Sequence, residues 1–249
     1  MRMAVLLCCA LLTGAASPTF AGLDITAVAC NTGPGHSSTF NFDCSTAGTP
    51  QVLFGCFQLP TAQDSVVAVD NVFDLSIGDA GLPDWWHFET GGCNSMTSLG
   101  HATVFADLAR STTLCIGATD FWGTGGAPAP VAFTPQTSWP NTGRFSLSIS
   151  RPTPVTLRAT TNYFAFNLNF LSDNATQSGG KCAGCGIGAC LVWNTASVIN
   201  IRAGGAGTPY VVSGPGLKGN MLWWGDGTPN CSTDPVRNRT WGQLKSLYR

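Results

Sequence analysis

The sequence is poor in charged residues, and this excludes several classes of function. Charged residues make up 10% of the 249 residues, and the formal net charge at pH 7 is -1. A nucleic-acid partner requires a basic stripe that neutralises phosphates, and an anionic membrane surface requires a similar cluster of lysine and arginine. The sequence contains neither, so we expect no nucleic-acid partner.

Long hydrophobic runs are also missing. The apolar run from Met3 to Leu12 is only about half of the roughly 20 residues that a membrane-spanning helix needs. It follows Arg2 and precedes small residues that end at Ala21, which is the order typical of a signal peptide. We therefore predict a signal peptide over 1–21, one β-sandwich domain over 22–249, and a protein that is secreted (extracellular, periplasmic or at the cell surface) without membrane insertion.

Motifs of catalysis and cofactor binding are absent from the sequence. The three histidines, His36, His87 and His101, lie in no Gly-x-Ser-x-Gly or His-Glu-x-x-His pattern, and no glycine-rich phosphate loop follows a strand. We therefore predict no catalytic residue, no cofactor and no metal. An extracellular hydrolase is an alternative that would need a pocket holding Asp84, His87 or Asp226 together.

Helical periodicity is scarce, and alternation of apolar and polar residues dominates instead. Phe145, Leu147 and Ile149 alternate with three serines, and the stretch 163–170 carries a large apolar residue at every second position, so both are predicted to be half-buried strands. Further strands are predicted at 51–59, 67–77, 100–107, 129–133, 155–159, 192–202 and 208–213.

Glycine, proline and asparagine clusters separate these runs, and the one predicted helix is a short C-terminal segment over 240–248. The pattern predicts an all-β fold, an antiparallel β-sandwich of jelly-roll or immunoglobulin-like topology.

Nine cysteines follow the predicted signal peptide. In an oxidising compartment most should form disulfides that staple the sandwich. Nine is odd, and Cys56 lies in an apolar strand-like run, so we expect it to stay a buried thiol. The predicted disulfide cysteines are Cys30, Cys44, Cys93, Cys115, Cys182, Cys185, Cys190 and Cys231.

For the pairing, we predict Cys30 with Cys44, Cys93 with Cys115, and two bridges among the last four cysteines in an order that the sequence leaves open. These last four could instead bind a structural zinc ion, or the Cys182-x-x-Cys185 pair could be redox-active. Disulfides are favoured because an exported chain meets oxidants. The stretch 178–190 is predicted to be the least globular part.

Tryptophans supply the candidate ligand-binding residues. Adjacent residues of an extended chain point to opposite faces, so one of Trp85 and Trp86 should fill the core while the other lies on the surface, and Trp223 and Trp224 should divide likewise. Exposed indoles could stack on sugar rings in a carbohydrate-binding module. The candidates are Trp85, Trp86, Trp122, Trp139, Trp223 and Trp224.

Three segments carry a resemblance to a group of uncharacterised exported bacterial proteins. They are the LPDWW motif at 82–86, the cysteine run that continues to Asn194, and the ending NRTWGQLKSLYR from Asn238. The similarity spans most of the mature chain. It implies a secreted β protein from bacteria and implies no activity, ligand or partner.

These observations favour a non-catalytic secreted or cell-surface β-sandwich with a structural or adhesive role and a glycan or cell-surface partner. A carbohydrate-binding module and an extracellular hydrolase are the alternatives. The oligomeric state and the ligand are not encoded in any pattern that the sequence shows.

Overall fold

A computed structural model describes residues 21–27, 37–78, 81–95, 103–109, 115–202, 205–216 and 219–225. The predicted signal peptide up to residue 20, the predicted C-terminal helix, and residues Cys30, Cys231 and Asp226 lie outside these ranges. Within them, no helix has the length and hydropathy needed to cross a membrane.

Fourteen strands and three single turns of 3-10 helix make up the described structure. The strands are β1 (Gly22–Thr26), β2 (Thr39–Phe40), β3 (Gln51–Gln58), β4 (Gln63–Ile77), β5 (Val104–Asp107), β6 (Thr119–Asp120), β7 (Ala127–Pro128), β8 (Ala132–Pro135), β9 (Thr142–Leu157), β10 (Asn162–Phe170), β11 (Ala189–Arg202), β12 (Gly205–Ala206), β13 (Tyr210–Ser213) and β14 (Met221–Trp224). The 3-10 turns are η1 (Asp84–Trp86), η2 (Gly123–Gly125) and η3 (Thr176–Ser178).

The strands form two sheets that pack against each other. The smaller sheet has the order β1-β3-β10-β5, with β6 also on β10, and the larger sheet has the order β2-β14-β11-β4-β9-β7, with β8 on β9 and β12 and β13 on β11. Pairing is antiparallel except for β6 with β10 and β2 with β14. The predicted all-β sandwich is confirmed, and the long strands β4, β9 and β11 form the centre of the larger sheet.

Strand β9 shows why alternation predicts structure in this protein. Phe145, Leu147 and Ile149 are buried between the sheets, while the intervening serines at 146, 148 and 150 are exposed. Successive side chains of a strand point to opposite faces, so one sequence pattern supplies both the core and the surface. The prediction of a half-buried strand is confirmed here.

Strand β10 departs from the prediction because both of its faces are buried. Asn167 and Asn169 alternate with the core residues and were expected on a solvated face, yet both are buried. Their amides donate to the two oxygens of the Asp107 carboxylate, at 2.8 Å and 2.9 Å. A buried amide must be hydrogen-bonded, and one carboxylate of the neighbouring strand satisfies two of them.

Aromatic rings join the two sheets. Phe166 of the smaller sheet meets Phe73 and Trp193 of the larger sheet edge to face, with ring centroids 5.4 Å and 4.9 Å apart. The Phe166 ring lies directly over Gly55 of the neighbouring strand, where a Cβ atom would come within 2.2 Å of the ring. The absence of a side chain at residue 55 therefore makes room for the ring that connects the sheets.

The turn between β9 and β10 contains a strained residue, which generates a stability prediction. Thr160 has φ of 58°, a left-handed conformation that is unfavourable for a β-branched side chain by roughly 1 to 2 kcal/mol. We expect Thr160→Gly to stabilise the fold by about 1 kcal/mol, because glycine adopts this conformation readily.

Chemical denaturation of the Thr160→Gly variant measures this effect. The Ala159→Gly variant is the matched control, since Ala159 lies in the same turn without a positive φ and should lose stability through the added chain entropy of the unfolded state. Equal destabilisation by both substitutions would contradict the assignment of strain to Thr160.

Candidate functional site

Three loops meet at one end of the sandwich and are tied together by disulfides. The segments 41–50, 81–95 and 171–188 form this region, which we call the tied end. Cys44 is bonded to Cys185 and Cys93 to Cys182, across sequence separations of 141 and 89 residues. The loop 178–190, expected to be the least globular part, is the segment to which both of the other loops are attached, and Cys182 and Cys185 are fully buried.

The predicted disulfide pairs are therefore wrong, although the described cysteines chosen as disulfide-forming are correct. Cys44 does not pair with Cys30, and Cys93 does not pair with Cys115. Two bridges within the last four cysteines cannot both form, since Cys182 and Cys185 each bond a cysteine of another loop; a bridge between Cys190 and Cys231 stays a prediction, because Cys231 lies outside the described residues. Cys115 and Cys190 are also disulfide-bonded.

The same bonds bear on the two alternatives for these cysteines, a structural zinc site and a redox-active Cys182-x-x-Cys185 pair. With Cys182, Cys185 and Cys190 all in disulfides, the zinc hypothesis loses its thiolates, and the Cys182-x-x-Cys185 pair is not an internal redox disulfide. No group of three or more histidine, cysteine or carboxylate side chains within the described ranges is arranged to hold a metal ion. Cys56 is a buried thiol in β3, as predicted.

Hydrogen bonds to the backbone reinforce the tied end. The Asn174 amide donates to the Cys93 carbonyl at 2.6 Å and contacts the Cys182 sulfur at 3.0 Å. The Trp85 amide nitrogen donates to the Ala183 carbonyl at 2.8 Å. Segments 81–95 and 171–188 are thus joined by hydrogen bonds as well as by the Cys93–Cys182 disulfide.

Buried aromatic rings fill the space beneath the loops. Trp85 and Trp86 are both buried, which corrects the expectation that one of them lies on the surface. They belong to η1, where successive side chains are separated by about 120° rather than by 180° as in a strand, so both can face inward. Trp85 and Trp86 each contact Trp224, with ring centroids 5.4 Å and 5.0 Å away.

This packing leaves some polar atoms without a hydrogen bond. The indole nitrogens of Trp85 and Trp86 and one carboxylate oxygen of Glu89 are buried with no hydrogen-bond partner among the described residues. Each such group opposes folding by about 1 to 3 kcal/mol. Burial of the rings and the two disulfides offset this cost.

Most of the candidate tryptophans for sugar binding are unavailable to a ligand. Trp85, Trp86, Trp122 and Trp224 are buried, and the Trp122 indole donates to the Ala165 carbonyl at 2.7 Å. Trp223 is half-buried on the outer side of the larger sheet, and its ring lies against Gly188, where a Cβ would come within 2.5 Å of it. Trp139 is 42% exposed. The pair Trp223 and Trp224 thus divides between the two faces as predicted.

His87 lies in the tied end between two hydrogen-bond acceptors. Its Nδ1 lies 2.7 Å from a Glu89 carboxylate oxygen and its Nε2 lies 3.1 Å from the Leu82 carbonyl oxygen. A carboxylate and a carbonyl both accept hydrogen bonds, so the imidazolium form makes both bonds at once. Both contacts lie within the 82–89 segment and fix the position of the imidazole.

The second region of interest is the outer side of the larger sheet, which faces away from the smaller sheet and which we call the open face. The register of β4, β9, β11 and β13 brings side chains of four strands onto this side. Its exposed members are Asp70, Arg144, Ser146, Ser148, Ser150, Val211 and Ser213. The outer side of the smaller sheet differs, because residues such as Asp24, Thr26 and Asn167 are buried there.

One charged network is fixed on the open face. The Arg144 guanidinium donates to both oxygens of Asp74, at 2.7 Å and 3.1 Å, and the Asn194 amide donates to the same carboxylate. Hydrogen bonding to Asp74 raises the pKa of Arg144 further above its usual range, despite partial desolvation. A bidentate pair of this kind sets the orientation of both planar groups. Nearby, the Ser148 hydroxyl donates to Asp70.

Comparisons with known proteins add no family to these observations. No protein-family model matches the chain, and neither a curated protein nor a solved structure matches it.

The disulfide pairs predict a distinctive peptide map. Two residues separate Cys182 from Cys185, so after a digest that cuts between Cys185 and Cys190 and between Cys44 and Cys93, the peptide that contains both should be linked to two other peptides, one with Cys44 and one with Cys93. Mass spectrometry of an unreduced digest should find this three-peptide species. A peptide that contains Cys182 and Cys185 and is linked to no other peptide would contradict the pairing.

Removal of one bridge should also lower stability. We expect the Cys93→Ala/Cys182→Ala double variant to lose about 2 to 4 kcal/mol, the usual range for a native disulfide. Denaturant unfolding at equilibrium measures this loss. The Cys56→Ala variant, which removes no bridge, is the control and should lose less.

The loop that carries Cys44 predicts a pH effect. Hydrogen bonds from Ser45 and then Thr46 lower the pKa of Asp43 from 3.8 to about 2. The ionised form is therefore favoured by folding, and its stabilisation is present above about pH 4 and is lost as the pH falls through about 2.

Melting temperatures of wild type and Asp43→Asn between pH 7 and pH 2 test this. Wild type should melt at a higher temperature near neutral pH, and the difference should disappear towards pH 2. Asp84→Asn, at an exposed position of the same end, is the matched control. A difference that stays constant over the whole pH range would contradict a role for the ionised Asp43.

Proposed function

We propose that this protein is a secreted or cell-surface, non-catalytic β-sandwich with a structural or adhesive role, and that the open face is its contact surface. The observation that carries the proposal is the asymmetry of the two sheets. The outer side of the smaller sheet carries buried residues such as Asp24, Thr26 and Asn167, while the outer side of the larger sheet exposes residues of β4, β9 and β13, most of them polar and one of them, Val211, apolar. The outer side of the larger sheet thus offers an ordered, mostly polar surface to a partner.

The chemistry of the open face supports a binding role over catalysis. Serine hydroxyls and one fixed ion pair offer many donors and acceptors along the outer side of the larger sheet. The Arg144 and Asp74 side chains neutralise each other through their own hydrogen bonds. Such a surface suits repeated weak contacts with an extended partner.

Export is part of the proposal and is supported by separate observations. Two disulfides across long sequence separations are consistent with an oxidising compartment. The N-terminal sequence has the order of a signal peptide. Bacterial origin is proposed from the resemblance described above.

The hydrolase alternative gains no support from the described residues. It required Asp84, His87 or Asp226 in one pocket. Asp226 lies outside the described ranges, and His87 uses both ring nitrogens in hydrogen bonds to Glu89 and Leu82.

Substitutions on the open face test the adhesive role. We expect Ser146→Arg/Ser150→Arg to reduce binding of the fluorescently labelled protein to isolated envelopes of the source cells by about tenfold, because two long side chains would hold a partner away from the sheet. Both serines are exposed, so folding should be unaffected. Sedimentation of the envelopes with bound protein gives the readout.

The matched control places the same substitutions on the tied end, at the exposed residues Thr176 and Gln177. Thr176→Arg/Gln177→Arg should bind as wild type does. Equal binding by both double variants, or no binding of the wild-type protein to envelopes, would overturn the proposal.

A further inference from the structure

We propose that two copies of this chain associate through strand β13, in an antiparallel and two-fold symmetric contact that joins their larger sheets into one continuous sheet. The inference goes beyond the adhesive function proposed above and does not depend on it. It is carried by the open edge of β13, by the exposed side chain of Val211 and by the uncharged, self-complementary sequence of the strand.

Strand β13 lies at an edge of the larger sheet. Its residues 210–213 pair with 195–198 of β11, and among the strands of the described residues β11 is its only partner. The chain leaves this edge at Gly214, whose carbonyl accepts a hydrogen bond from the Leu23 amide at 3.0 Å. In an antiparallel pair every second residue directs its backbone N–H and C=O away from the partner strand. The far edge of β13 thus offers these groups to a further strand.

Side chains along this edge are accessible. Val211 is 52% exposed, and Ser213 is exposed as well. The register pairs Val211 with Ser197 and Ser197 with Asp70, so the Val211 side chain lies on the open face. An apolar side chain left in water forfeits favourable free energy of burial, and a neighbouring strand would recover part of it.

The edge carries no charge that would prevent pairing. Residues 203–217 contain no aspartate, glutamate, lysine or arginine. Edge strands of monomeric proteins are commonly protected by lysine, by proline or by an inward-pointing charge, and the sequence of 210–213 includes none of these. In a contact between identical strands each side chain meets its own kind or a near neighbour, so a charge would meet a like charge. The uncharged sequence therefore favours a second copy as the partner.

A two-fold axis at Val211, perpendicular to the sheet, gives favourable cross-strand pairs. It places Val211 opposite its own equivalent, and Tyr210 opposite the equivalent of Val212. Pairs of β-branched residues, and pairs of an aromatic with a β-branched residue, stabilise antiparallel sheets. Val212 belongs to the core and Tyr210 packs against it, so the Tyr210 pairs would continue the apolar layer from one copy into the other.

The opposite edge of the same sheet is protected, which limits the assembly to two copies. Strands β7 and β8 form that edge, and Pro128, Pro130 and Pro135 lie along it. Proline has no N–H to offer a new strand. Each copy therefore presents one competent edge of this sheet, and a contact that uses the same edge of both copies closes on itself.

Such a dimer turns both open faces to the same side, because the axis is perpendicular to the sheets. An adhesive open face would then be presented twice. Two linked contacts raise the effective affinity for a surface without any new contact in either copy.

Sedimentation velocity of the mature, oxidised chain over a range of concentrations tests the inference. A contact centred on one short strand is small, so we expect a reversible dimer with a Kd in the micromolar range. Val211→Lys should raise this Kd by about tenfold or more, because two ammonium groups would face each other across the axis. Val211→Thr should keep the dimer, since threonine is β-branched and uncharged.

The matched control is Ala132→Lys, which adds the same charge at an exposed residue of β8, on the opposite edge of the sheet. It should dimerise as wild type does, and circular dichroism of each variant checks that it is folded. The inference is overturned if the wild-type chain is still monomeric at about 1 mM, if Val211→Lys dimerises as wild type does, or if species larger than a dimer form.

Cysteine cross-linking tests the position of the axis. Directly opposed residues of an antiparallel pair have Cα atoms about 4.5 to 5.5 Å apart, within the range that a disulfide spans. Val211→Cys should therefore form a disulfide-linked dimer on mild oxidation. Ser150→Cys, exposed on β9 of the same face, should not, and equal cross-linking of the two variants would contradict the contact through β13. None of these measurements uses envelopes, so their outcome is separate from that of the adhesive proposal.

Discussion

The packing of aromatic rings between the two sheets is the interaction on which the rest of the structure depends. With charged residues at 10% of the chain, ion pairs are few, and burial of apolar area must supply most of the stability. Phe166 lies over Gly55 and meets Phe73 and Trp193 of the opposite sheet. This contact fixes the distance and orientation of the sheets, and the larger sheet can then leave its outer side uncovered.

Buried aromatic rings also stabilise the loops of the tied end. Loops expose backbone groups and carry fewer apolar contacts than strands, and they are usually the least stable part of a domain. Here Trp85, Trp86 and Trp224 provide an apolar base for them, and the Cys44–Cys185 and Cys93–Cys182 bridges restrict their motion. The rigid turn of Trp139 is bonded to this end through Leu82. The hydrogen bond from the Leu82 amide to the Pro140 carbonyl thus ties the turn at the edge of the open face to the tied end.

The parts of the fold that follow from local pattern could be predicted from the sequence. Alternation in β9 correctly separates Phe145 and Leu147 from the exposed serines, because a strand has only two faces. The same rule fails for Asn167 and Asn169, since burial of the second face depends on segments distant in sequence. It also fails for Trp85 and Trp86, where a 3-10 turn replaces the assumed extended chain and both rings face inward.

The sequence by itself determined that the chain forms β strands with an apolar and aromatic core. It also determined that most of the described cysteines are oxidised and that Cys56 is not. Composition and period-two alternation express these properties locally. Only the tertiary structure decided which cysteines pair, which of the described tryptophans are buried and which sheet keeps an open face. Each of these depends on distances between residues far apart in the chain, such as the 141 positions that separate Cys44 from Cys185. No local pattern encodes such distances, because they arise only when the two sheets pack.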